Sequence, residues 1–139
     1  MFRHIMIPVD LGHLDKLQKA LDVAAAEAKH HGCPVTYVSV TGNTPGPQGH
    51  TPEEFKSKLA DFAAAQAETH GISAHAHTVV AHDPSVDVDD KLLAAVKEIG
   101  ADLVIMASHP PNVADYFWPS HGGSLASHAS VSVLLVRDN

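Results

Sequence analysis

Five short, apolar, β-rich runs recur along the chain, and a helix-length stretch separates most of them. The clearest is Leu103-Val104-Ile105-Met106-Ala107, with Gly100 ahead of it and Pro110-Pro111 behind. Short apolar runs bounded by glycine and proline suit strands buried on both faces of a parallel sheet. Parallel neighbours cannot be joined by a tight turn and need a crossover, usually a helix. The spacing therefore predicts an α/β fold: a parallel, doubly wound sheet with helices on both faces and right-handed crossovers.

The predicted strands are Phe2 to Val9, centred on Ile5, Met6 and Ile7; Val35 to Val40; Ser73 to Val80, which alternates; Leu103 to Ala107; and Val131 to Val136. Helix one is expected from about Leu14 to His30. Leu14, Leu17, Leu21, Ala24, Ala25 and Ala28 recur there at three- and four-residue spacing, and Gly32 suits the left-handed position that follows. Thr51-Pro52-Glu53-Glu54 is a strong helix start: a capping hydroxyl, a proline in the first turn and a glutamate three residues on. That second helix is expected to reach His70 and stop at Gly71. His82-Asp83-Pro84-Ser85 reads as a turn, and Val88 to Ile99 as helix three. A fourth helix is expected to begin near Ser120. Thr41 to His50 is the most loop-like segment.

At 139 residues the chain is expected to form one domain, spanning 1–139, around one core. The formal net charge of −7 argues against a nucleic-acid surface. No run approaches the length of a membrane span, and no secretory signal region is visible. A cytoplasmic location is the expectation. Cys33, the single cysteine, excludes an internal disulfide and a cysteine-based zinc cluster. It reads as a small buried hydrophobe at the start of a strand. The twelve histidines are mostly scattered, which fits solvated surface.

Ligands of open α/β sheets sit in the crevice beyond the carboxyl ends of the strands. That directs attention to Asp10, which closes the first strand, and to the loop from Ser108 to Ser124. Ser120-His121-Gly122-Gly123-Ser124 lies where a helix should begin. Helix N-termini offer free N–H groups to anions, two glycines allow close approach, and the serines and His121 add donors.

On these residues the chain resembles the universal stress protein family over essentially its whole length. The opening Ile5-Met6-Ile7-Pro8-Val9-Asp10, the approach Gly100-Ala101-Asp102-Leu103-Val104-Ile105-Met106 and the ending Ser120 to Val136 carry the resemblance. It implies a five-stranded parallel sheet in order 3-2-1-4-5, adenine-nucleotide alpha-hydrolase-like, and a homodimer paired through the last strand. It also implies a site for ATP or AMP, with magnesium, between the ends of strands one and four. Pro8, Val9, Asp10 and Val40 would line the base and ribose side. Ala107, Ser108 and His109 would flank the sugar, and Ser120, His121, Gly122, Gly123 and Ser124 would hold phosphate. The glycine motif of binding members (Gly, two residues, Gly, nine residues, Gly-Ser) falls here on Ala107, Pro110 and Ser120 or Pro119. None is glycine, and Pro110 also lacks an N–H.

The functional reading is a binding or signalling module of the stress response. A dimeric interaction protein that binds no nucleotide is the alternative, and slow nucleotide hydrolysis or transfer a third. For Asp10, capping the first helix stands beside ligand contact. Asp115-Tyr116-Phe117-Trp118 reads as packing of the loop. His75 and His77, on one strand face with His82 nearby, read as surface, with no third fixed ligand evident. Asp10-Leu11-Gly12-His13 half-resembles the His-x-Gly-His motif of nucleotidyl transferases, with aspartate at the first histidine. No Gly-x-Ser-x-Gly elbow of a serine hydrolase is present.

Overall fold

The computed structural model describes residues 1–42, 51–81, 84–108 and 127–137. Its elements run β1 (Ile5–Pro8), a 3₁₀ turn (Leu11–Lys16), α1 (Gln18–His31), β2 (Val35–Thr41), α2 (Pro52–His70), β3 (Ala74–Val80), α3 (Pro84–Ile99), β4 (Leu103–Ser108) and β5 (Ser132–Arg137). The strands form one sheet in the order β3-β2-β1-β4-β5, every neighbouring pair parallel. This is the expected topology.

Burial explains the sequence pattern. β1 is buried throughout, and β2 and β4 are buried except at their last residue, so they read as unbroken apolar runs. β3 and β5 lie at the two edges and are largely half-buried or exposed. Tyr37 packs edge-on against Phe62 of α2, which puts α2 on the Tyr37 face. His77, opposite Val38 in register, bonds Glu98 of α3, which puts α3 on the other face. Right-handed crossovers place α1 with α2, because both connections step the same way along the sheet. Leu21 of α1, Leu59 of α2 and Leu92 of α3 are fully buried and belong to one core cluster with Ile5, Met6, Ile7, Ile105 and Met106 of the central strands. Each such side chain contributes about 1.5–3 kcal/mol.

Helix ends follow local chemistry. Thr51 is extended and its Oγ1 accepts the Glu54 N–H at 3.1 Å, the expected cap of α2. Gly32 and Gly71, at φ 63° and 65°, end α1 and α2 in the left-handed region.

Three boundaries differ from expectation by three residues or more, and several strand ends by one. β1 begins at Ile5 rather than Phe2. α1 begins at Gln18 rather than Leu14, because a 3₁₀ turn, broken by non-helical angles at His13, occupies Leu11–Lys16. α3 begins at Pro84, so Pro84 and Ser85 belong to a helix and not to a turn. Proline fits a first helical turn, whose N–H groups have no helical acceptor. The expected fourth helix lies mostly outside the described residues, where only Ser127 and His128 are seen as helical.

Candidate functional site

The sheet order reverses between β1 and β4: the chain winds from β1 through β2 to β3, then returns to β4 on the far side of β1. Pairing of β1 with β4 runs only through Ile5↔Leu103 and Met6↔Val104, whereas β4 pairs with β5 from Leu103 to Ser108. The ladder thus stops short of the carboxyl ends of both strands, at the topological switch point where such sheets hold ligands.

Backbone bonds fix the β1 side. The Val9 N–H donates to Val38 O at 2.8 Å, and the buried Ser39 hydroxyl donates to Val9 O at 2.8 Å. Pro8, Val9 and Val40 are buried and form wall. Asp10 emerges from that wall. Its Oδ1 accepts the Gly12 N–H at 3.0 Å, and its Oδ2 lies 2.7 Å from His13 Nδ1. The backbone oxygen of Asp10 also accepts the His13 N–H, at 3.0 Å. Short polar side chains that bond nearby backbone in this way compete with helix. That is why α1 starts late. Asp10 therefore caps the 3₁₀ turn, the alternative to ligand contact weighed from sequence.

On the β4 side, Ala107 is buried and register-paired with Val136, and Ser108 is half-buried and paired with Arg137. Arg137 is exposed, so a cation sits beside Ser108 at the rim. Sequence reasoning did not single it out, because only the parallel register of β4 and β5 brings it there.

The structure thus gathers Pro8, Val9, Asp10 and Val40 along the ends of β1 and β2, and Ala107 and Ser108 at the end of β4. His109, Ser120, His121, Gly122, Gly123 and Ser124 lie outside the described residues, as do Pro110, His82 and the Asp115 to Trp118 cluster. His75 is exposed, and His77 Nε2 bonds Glu98 Oε2 at 3.1 Å. Among the described residues no group of three or more His, Cys, Asp or Glu is arranged to hold a metal, and no helix is long and apolar enough to cross a membrane.

The opposite, amino edge of the sheet holds a second polar group. His4 Nε2 is hydrogen-bonded to Thr36 Oγ1 at 2.6 Å. Burial, then the nearby His75 charge, lower the His4 pKa against an upward pull from Asp102. Burial pushes the Asp102 carboxyl up, but backbone N–H donors from His4 and Arg3 outweigh it and bring the pKa below the ordinary value. An open cavity of about 450 Å³ lies at this edge, lined by Lys29, Gly32, Cys33, Gly71 and His75 among others. Cys33 is buried, as expected, and burial raises its thiol pKa.

The model of the universal stress protein family matches residues 1–137. Universal stress protein G of Shigella flexneri is 26% identical over 148 residues, which cover 99% of this chain and 100% of that protein. The universal stress protein from Archaeoglobus fulgidus, solved in complex with dAMP, aligns at a TM-score of 0.67 and 20% identity, covering 96% of each chain. A universal stress protein family protein from Arabidopsis thaliana with AMP bound aligns at 0.68 and 13% identity, covering 99% of this chain and 92% of that one. At these identities the two structures show likeness of fold.

Proposed function

The chain belongs to the universal stress protein family, and from that membership we propose that it is a single-domain, cytoplasmic module of the stress response that binds an adenine nucleotide, ATP or AMP, at the β1–β4 crevice. The observation that carries the reading is the switch point, where pairing of β1 with β4 stops at Met6↔Val104 and Asp10 and Ser108 flank the gap. Relatives of the same fold hold dAMP and AMP. Asp10 and Val40 would bound the base and ribose, Ser108 and His109 the sugar, and Ser120 to Ser124 the phosphates. Magnesium would accompany ATP. Binding, rather than turnover, is the proposed role.

A ligand that binds only the folded state must raise the melting temperature. Millimolar AMP or Mg-ATP is expected to shift it upward by several degrees, and native mass spectrometry of the freshly purified protein to show retained nucleotide. A melting curve unmoved by AMP, ATP and Mg-ATP, with no retained adenine, would overturn the reading.

Pairing of two copies through β5 belongs to the same proposal. Leu134 and Leu135 on that edge strand are 38% and 41% exposed, and an apolar strand with an unpaired edge is a template for another strand. Should nucleotide binding fail, this edge favours the second reading, a dimeric interaction protein without a ligand.

A further inference from the structure

Ser39 interrupts the apolar end of β2 with a hydroxyl, and the residue is only 2% exposed. A hydroxyl buried without a partner is costly, and alanine in its place carries no such cost. Here the hydroxyl donates to Val9 O at 2.8 Å, just beyond the end of the β1–β2 pairing.

That oxygen has another natural donor. β1 and β2 pair in parallel from Ile5↔Val35 to Pro8↔Val38, and the Val9 N–H adds one further rung, to Val38 O at 2.8 Å. In a regular parallel ladder the Val40 N–H would come next, bonding to Val9 O. Pairing instead stops at Pro8↔Val38, and Val9 O accepts the Ser39 hydroxyl. Alternate residues of a strand turn their backbone groups to the same neighbour. Val38 O faces β1, so the Val40 N–H faces the β1 side as well, at the level where Asp10 leaves the wall.

We propose that Ser39 is a positioning residue of the crevice: its hydroxyl occupies the acceptor that would close the ladder, and so keeps the Val40 N–H for an acceptor atom of the bound base. The inference rests on the nucleotide reading, in which Val40 bounds the base. Ser39 itself touches no ligand and acts through Val9. Its bond also holds the last peptide before Asp10 against β2, so this wall is set before the ligand arrives, which lowers the ordering cost of binding. Without the hydroxyl, the Val40 N–H and Val9 O are each other's nearest complement, and the ladder gains a rung at the expense of the site.

The test compares the wild type, Ser39→Ala and Ser39→Thr by calorimetric titration of adenosine and AMP and by NMR. Scalar coupling across a hydrogen bond, from the Val40 amide nitrogen to the Val9 carbonyl carbon, reports the rung directly. It is expected to be absent in the wild type and in Ser39→Thr, and present in Ser39→Ala. Loss of one neutral hydrogen bond on the base side should weaken adenosine and AMP alike, about fivefold, in Ser39→Ala. Ser39→Thr, which keeps the hydroxyl, should stay within about twofold. The melting temperature of Ser39→Ala should fall by no more than about 3 °C, because the new rung replaces the lost bond. Unchanged affinity in Ser39→Ala, with or without a lower melting temperature, would reduce Ser39 to a structural residue and leave the nucleotide reading standing. A Val40–Val9 coupling already present in the wild type would overturn the replaced rung, whatever the affinities. A wild type that binds neither adenosine nor AMP would end the nucleotide reading and the ligand role of Val40 with it, while the coupling would still decide whether the hydroxyl replaces the rung.

Discussion

The Asp102 carboxylate, just ahead of β4, accepts the backbone N–H of Arg3, just ahead of β1, through both oxygens at 3.1 and 2.9 Å. The same carboxylate accepts the His4 N–H at 3.0 Å, and the Asp102 N–H returns a bond to His4 O at 3.0 Å. These contacts clamp the amino ends of β1 and β4 together, at the end opposite the crevice. The two strands are thus tied below and unpaired above.

Replacing Asp102 by alanine removes the acceptor from two backbone N–H groups. The expected loss is about 1 kcal/mol, since water can reach this site, or a fall of about 3 °C in melting temperature. Asp102→Asn, which keeps an accepting oxygen, should lie between. A melting curve for Asp102→Ala that coincides with the wild type would show that the clamp contributes nothing.

The His4 pKa is below its ordinary value of 6.5 in the folded chain. Its contribution to stability is therefore full above that value and is lost as the pH falls from it toward the folded pKa. The charged and titratable groups acting on it are His75 and Asp102, with Thr36 as its hydrogen-bond partner. Urea midpoints taken from pH 7.5 down to pH 5 should fall more steeply for the wild type than for His4→Asn. Parallel profiles would remove His4 from the account.

Tyr37 is fully buried, and among the described residues its hydroxyl has no hydrogen-bond partner. Burial pushes its pKa from 10.0 up to about 12. A raised phenol pKa means stability that is full below the unfolded value and is lost as the pH rises through 10 toward about 12. Tyr37→Phe deletes an unsatisfied hydroxyl while keeping the ring against Phe62, so it should be neutral or stabilising by up to about 1 kcal/mol. It should also flatten the alkaline loss. Destabilisation by more than about 1 kcal/mol at neutral pH would mean that the hydroxyl has a partner, such as a buried water.

Leu134 and Leu135 offer a direct test of pairing through β5. Leu134→Lys combined with Leu135→Glu is expected to convert a dimer to a monomer in light scattering. The melting temperature of the monomer should be little changed, because both side chains are already substantially exposed. A wild type that is monomeric at tens of micromolar protein would sink the dimer.

The central strands were legible because each is a local run whose apolar content reports burial on both faces. Ile5-Met6-Ile7, Val35 to Val40 and Leu103 to Ala107 announce central strands without reference to anything distant. The cap at Thr51 and the stops at Gly32 and Gly71 were legible for the same reason, since each acts within one turn of itself. The start of α1 was not. Leu14 and Leu17 continue its apolar spacing, and periodicity alone cannot register that Asp10 bonds Gly12 and His13 and holds the intervening turn in 3₁₀ form.

By itself, the sequence determined which segments are strands and helices, and the parallel order through the family resemblance. Those follow from periodicity, caps and glycines, which are local quantities. Tertiary structure alone decided that Asp10 spends its carboxylate on His13, that Arg137 stands beside Ser108, and that Asp102 clamps Arg3 from 99 residues away. A hydrogen bond depends on distance and direction within a few tenths of an ångström. Only the folded backbone sets those distances, so residue type and spacing can nominate such partners but cannot join them.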